Sequence, residues 1–223
     1  MSDRHAATLA LACVSTHVYC VRTHASPRCR RREPNDECNA EHQWHRTAAA
    51  GVWTVDPGHA EVGFVGRHLG LSKVRGRFTD VEGTVVVADD IASSSIEVVI
   101  DMTSVSSGDQ SRDDHLRSPD FFDVEHHRTA TFRSTGIVAD GAAGTIAGEL
   151  TIKGVTRPLT LSVEYLGQAA DPWGGERAVF SASATIDRAD WDLTWNMVLD
   201  TGGLLVSKEI RLELEVELVR QAS

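Results

Sequence analysis

Glu209-Ile210-Arg211-Leu212-Glu213-Leu214-Glu215-Val216-Glu217-Leu218 decides the fold class. Ile210, Leu212, Leu214, Val216 and Leu218 hold the even positions, and the charged residues hold every odd one. Side chains of a strand alternate between two faces, whereas a helical period of 3.6 would scatter both sets around an axis. The segment is therefore a strand with one dry face and one wet face.

The same rhythm recurs upstream. Val62, Phe64, Gly66 and His68 share a face, as do Ile96, Val98 and Ile100. Ile146, Gly148, Leu150 and Ile152 form another set, followed by Leu159, Leu161, Val163 and Tyr165, then Phe180, Ala182, Ala184 and Ile186. Turn-forming residues punctuate the runs at Asp56-Pro57-Gly58, Asp89-Asp90, Asp140-Gly141, Lys153-Gly154 and 171–175. Short alternating strands with polar turns predict an all-β sandwich or barrel. Ser107 to Arg117 is polar without alternation and reads as a short helix, ended by Ser118-Pro119.

Closing the sheet removes the exposed edges that would otherwise aggregate. A barrel of about eight strands is either just filled by its side chains or holds one small ligand. The small inward-parity residues Gly66, Gly148, Ala182 and Ala184 leave volume, or they make room for Trp191 or Trp195.

The chain has 223 residues and a formal net charge of −10. That charge argues against nucleic acid as a partner and against adhesion to anionic lipid surfaces. No stretch reaches the roughly 18 consecutive apolar residues of a membrane-spanning helix.

Residues 1–50 are a different kind of sequence. They carry seven Arg against five Asp or Glu, and all four cysteines (Cys13, Cys20, Cys29, Cys38). They are read as a disordered extension or a mis-assigned start. A signal peptide with Ala6–Val14 as its apolar run and a zinc site are the weaker alternatives, because the run is short and the cysteine spacings do not match zinc knuckles. A cytoplasmic location is the expectation, with the periplasm or secretion as the alternative. The domain expected to fold is 51–220.

Several separate motifs in this region resemble those of the YceI-like family of bacterial lipid- and polyisoprenoid-binding proteins. They include Trp53-Thr54-Val55-Asp56-Pro57-Gly58-His59 and Phe64-Val65-Gly66-Arg67-His68. Val74-Arg75-Gly76-Arg77-Phe78 follows, then the longest, Arg112-Asp113-Asp114-His115-Leu116-Arg117-Ser118-Pro119-Asp120-Phe121-Phe122-Asp123. Gly148 to Leu159 and Ala184-Thr185-Ile186-Asp187-Arg188 complete the series. The resemblance implies an extended, lipocalin-like antiparallel β-barrel that binds a polyisoprenoid, an isoprenoid quinone or a fatty amide without catalysis. It implies no cofactor and is compatible with a homodimer. Two departures stand out: Asp192 replaces a usual Gly beside Trp191, and Glu61 replaces a small Ser.

Candidate ligand-binding residues fall into two groups. Arg112 and His115, with Asp113 and Asp114, either ring a barrel mouth and hold a polar head by charge-assisted hydrogen bonds or pin the helix to the barrel. His68 either meets that head or is a buried histidine satisfied by a carbonyl. Phe64, Phe78, Phe121, Phe122, Phe132, Trp191 and Trp195 are cavity walls or ordinary core. Two further functions compete: a filled barrel acting as a stress-related interaction module, and a hydrolase acting at Asp113/His115. No nucleophile motif accompanies the latter pair. No metal is expected, since the adjacent His126 and His127 would point apart.

Overall fold

The structure, a computed structural model, describes residues 47–172, 174–200 and 203–222. The signal-peptide and zinc readings of the first fifty residues lie outside the described part, as does the extension reading up to residue 46.

Ten strands and one α-helix follow in chain order: β1 (Gly51–His68), β2 (Ser72–Phe78), β3 (Val81–Val87), β4 (Ser95–Asp101), β5 (Val105–Ser106), α1 (Gln110–Arg117), β6 (Thr129–Asp140), β7 (Ala143–Ile152), β8 (Val155–Ala170), β9 (Glu176–Asp187) and β10 (Glu209–Arg220). Every pairing between them is antiparallel. The ring runs β1–β3–β4–β6–β7–β8–β9–β10 and closes where β10 pairs with β1. Eight strands therefore form the closed barrel. The remaining two extend its wall at one end, because β1 is long enough to pair with β3 near its start and with β2 near its finish, and β2 pairs onward with β5.

The alternating residues point as their periods require. Leu218 is buried and Ile210, Leu212, Leu214 and Val216 pack against the core, while Arg211, Glu213 and Glu215 pair outward. The β7–β8 turn is two residues, Lys153 (φ 50) and Gly154 (φ 75). Positive φ at both central positions is the turn whose twist matches an antiparallel hairpin.

Asp56-Pro57-Gly58 is not a turn between strands. It bulges within β1, where the pairing with β10 jumps from Val55↔Leu218 to Ala60↔Val216. Pro and Gly are local punctuators, but the strand is held on both sides of them by its long-range partner, and a bulge absorbs the extra residues.

Helix α1 lies across one end of the barrel. Asp109 caps its N-terminus by accepting from the Arg112 amide at 2.9 Å. Arg117 ties its last turn to the barrel wall, donating to the carbonyls of Thr103 (3.0 Å) and Val105 (2.8 Å). The opposite end carries the β6–β7 and β8–β9 turns and the start of β1. There Trp53 is fully buried, its indole donates to the Ala49 carbonyl at 2.9 Å, and the Arg220 guanidinium stacks on its ring.

Candidate ligand cavity and its mouth

The dry faces of the strands do not meet in the middle. They enclose a cavity of about 970 Å³ that runs from the α1 end to the β6–β7 turn, touching Arg112 and His115 at one extreme and Gly141 and Ala142 at the other. The interior is thus not filled by side chains, as the interaction-module alternative requires. Over most of its length the wall is hydrocarbon, supplied by residues such as Val62, Ile100, Leu159 and Leu214. The charged residues and histidines of the lining gather at the α1 end: Arg67, His68, Asp109, Arg112, His115 and Arg188. This end is a polar mouth on an apolar tube.

Two glycines shape the tube. A Cβ on Gly76 would stand 2.7 Å from Cε1 of Phe64, and one on Gly148 would stand 2.6 Å from Cε2 of Phe132. The two rings occupy space that side chains would otherwise take, so they lie along the wall and do not cross the lumen. Gly66 makes room in the same way for Ile210. Gly148 and Gly66 therefore accommodate Phe132 and Ile210, not Trp191 or Trp195.

Nine of the ten proposed ligand residues line the cavity: Phe64, His68, Phe78, Arg112, His115, Phe121, Phe122, Phe132 and Trp195. Trp191 does not. It is 2 % exposed, and its indole donates to the Leu150 carbonyl at 2.9 Å behind the wall. A buried indole N–H needs such a partner, and the short 3-10 turn Arg188–Trp191 aims it there. Asp192 closes that turn at φ 57, ψ 21, a left-handed conformation in which Gly is unstrained and Asp is among the better-tolerated alternatives.

At the mouth the aromatic side chains interlock. His115 meets Trp195 edge-on at 4.5 Å and Phe121 edge-on at 5.0 Å, and Phe121 and Trp195 are 5.3 Å apart. Arg188 stacks 5.9 Å from the Phe121 ring centroid. The sequence carried this arginine only as the end of the motif Ala184–Arg188 and did not single it out as a site residue. It is 5 % exposed, and burial lowers its pKa from the ordinary arginine value. It donates to the carbonyls of Ser207 and Leu193, anchoring the loop that leads into β10.

Arg112 serves the helix as well as the lining. Its guanidinium donates to the Ser107 hydroxyl at 2.7 Å and to the Ser107 carbonyl at 2.9 Å. Buried Asp113 accepts from the Ser107 amide at 2.8 Å and from its hydroxyl. His115 pairs instead with Asp120 at 3.0 Å. Asp113 and His115 are thus committed to different partners.

Outside the cavity, Asp56, His59 and Glu217 come within metal-ligand spacing of one another. Arg177 already lies between the two carboxylates, bonding both of them and also Asp171 at 3.1 Å. The space between the carboxylates is thus already occupied by Arg177.

A closed antiparallel barrel with a continuous apolar bore and one polar mouth defines a lipocalin-like class of protein. The YceI-like domain model matches residues 53–218, and the chain belongs to that family. It is 42% identical over 164 residues to a UPF0312 protein of Pseudomonas paraeruginosa, covering 73% of this chain and 83% of the relative. It is 41% identical over 178 residues to the protein YceI of Escherichia coli O157:H7, covering 78% and 90%. Among solved structures, BcnA of Burkholderia cenocepacia superposes with a TM-score of 0.64 at 25% identity, covering 73% of this chain and 98% of that one. A polyisoprenoid-binding domain from Saccharophagus degradans shares the fold, with a TM-score of 0.58 at 16% identity over 76% and 98%.

Proposed function

We propose that this chain is a non-catalytic carrier or store for one long apolar molecule of the polyisoprenoid, isoprenoid-quinone or fatty-amide kind. The carrying observation is the bore of about 970 Å³ with a hydrocarbon wall and a charged mouth. Water is a poor filler because the wall offers it few hydrogen bonds.

A hydrocarbon chain is a good filler. Each methylene taken from water contributes about 0.8 kcal/mol. Ten of them supply gross stabilisation comparable to a micromolar affinity of about 8 kcal/mol. The tail lies in the bore and the polar end lies near Arg112, His115 and His68. Membership in the YceI-like family, together with the name of the Saccharophagus degradans neighbour, supports this ligand class.

The test is native mass spectrometry of freshly purified protein, followed by organic extraction and identification of the lipid. A single co-purifying isoprenoid or fatty compound per chain is expected. A clean protein mass that stays unchanged after incubation with quinones and polyprenyl lipids overturns the proposal.

A further inference from the structure

A molecule this apolar cannot cross open water readily, so the place where it enters matters. Two chain reversals stand at the polar mouth. One is the β1–β2 tip, with Leu69 45% and Leu71 80% exposed; the other follows Trp195, with Met197 55%, Val198 73% and Leu204 37% exposed. Backbone bonds make them one surface: the Leu69 amide donates to the Leu205 carbonyl at 2.8 Å, and the Leu205 amide to the Met197 carbonyl at 2.9 Å. Leu205 and Val206, between them, line the cavity. The exposed patch is therefore continuous with the bore.

Its β1–β2 side is basic, while its other side carries the exposed cross-strand pair Asp187 and Glu209. Arg67 faces Lys73 across the β1–β2 pair, and Arg75 and Arg77 follow on the same outer face, all four exposed. Among the described residues, no carboxylate lies within salt-bridge distance of Arg67, Lys73 or Arg75, and Arg77 reaches Glu61 at only 3.5 Å. Of the acidic groups of α1 and its following loop, Asp114 pairs with Arg117 and Asp120 with His115, while Asp113 is buried against Ser107. Asp200 is the one carboxylate carried by the described part of the second reversal. The opposite end differs. Its exposed Val138 (66%) and Leu166 (50%) sit beside Asp140 and Glu164, and its arginines Arg177 and Arg220 are taken up by Asp171 and Glu176.

We infer that the two tips dock the mouth onto an anionic phospholipid bilayer. Leu69, Leu71, Met197, Val198 and Leu204 enter the headgroup layer, and Arg67, Lys73, Arg75 and Arg77 meet the lipid phosphates. The charge of −10 for the chain speaks against adhesion only as an average. A polybasic patch acts within a Debye length, and exposed apolar side chains add insertion. This goes beyond the carrier reading by fixing where cargo is exchanged.

The test is flotation of the full chain with vesicles of phosphatidylcholine alone and of phosphatidylcholine mixed with phosphatidylglycerol, at low and raised salt. Flotation with the anionic vesicles only, weakened by salt, is expected. Lys73→Glu with Arg75→Glu should weaken it by roughly tenfold or more. Leu71→Asp with Val198→Asp should abolish it. These sites are exposed, so thermal melts should match the parent. Loading each variant with cargo from detergent solution separates docking from binding: equal retention with lost flotation supports the docking surface. No flotation of the parent chain, or equal flotation on neutral vesicles, overturns it. So does a change from dimer to monomer in the Asp variant without loss of flotation, which would assign the patch to a second copy of the chain.

Discussion

The ring of Phe64 lies over Gly76, its cross-strand partner, with Cε1 and Cε2 only 2.7 and 2.9 Å from where a Cβ of residue 76 would stand. An aromatic ring laid over a glycine keeps the sheet surface covered while leaving the lumen open.

Gly76→Ala forces that ring away from the wall. Overpacking of this kind costs about 1–3 kcal/mol. For a chain of this size each kcal/mol lowers Tm by roughly 2–4 °C. The displaced ring also narrows the bore, so retention of extracted lipid should fall. Gly136→Ala is the control, because a Cβ there meets nothing within 4 Å and the residue is not in the left-handed region. Thermal melts and native mass spectra of both variants check the pair. Unchanged cargo in Gly76→Ala would break the link between ring position and lumen.

Ala182 lies midway along β9, between Val163 and Leu214 of the neighbouring strands, and lines the cavity. Ala182→Trp places an indole in volume that already exists, so the strain is smaller than in a filled core. The fold should persist, with Tm within a few degrees of the parent, while the co-purifying lipid disappears from the native mass spectrum. A fully loaded variant would place the cargo elsewhere.

Phe64 and the β10 alternation were legible before any coordinates because period two is written into adjacent residues, and burial follows from it. Family motifs fixed the barrel and directed attention to Arg112 and His115. Arg188 stood at the end of a family motif and in step with Phe180, Ala182, Ala184 and Ile186, but its role at the mouth was not legible. That role arises only when the loop before β10 folds back over it. Trp191 and Trp195 looked alike in sequence, yet a four-residue 3-10 turn sends one behind the wall and leaves the other at the mouth. Asp56-Pro57-Gly58 misled because turn chemistry is local while strand pairing is not.

That difference separates the two tryptophans experimentally. Trp191→Phe removes the indole N–H that bonds the Leu150 carbonyl, and losing one such hydrogen bond costs about 0.5–1.5 kcal/mol. Stability should fall while the loaded mass is retained. Trp195→Ala removes a ring that meets His115 and Phe121 at the mouth, so cargo should be lost faster with a smaller change in Tm. Denaturant melts and lipid-release rates of the two variants provide the check. The reverse pattern would exchange their roles.

The acid response should trace largely to Asp56. Its hydrogen bond from Arg177, helped by His59, lowers its pKa from 3.8 to about 2. A carboxyl whose folded pKa is depressed binds protons more weakly folded than unfolded. Its stabilisation is therefore full above about pH 4 and is lost as pH falls toward 2. The shift corresponds to about 2 kcal/mol, and the side chain is only 18% exposed, so solvent screening removes little of it. Thr103 and Arg128 lower the pKa of Asp101 in the same direction, which adds to the slope. Asp56→Asn should be less stable than the parent by about 2 kcal/mol at neutral pH. The two stability curves should converge below the folded pKa, because protonated Asp56 holds Arg177 no better than the amide does. Urea melts taken from pH 7 down to pH 2 measure both curves. A gap that persists undiminished at the acid end would mean that Asp56 stabilises the bulge of β1 by packing and not by its charge.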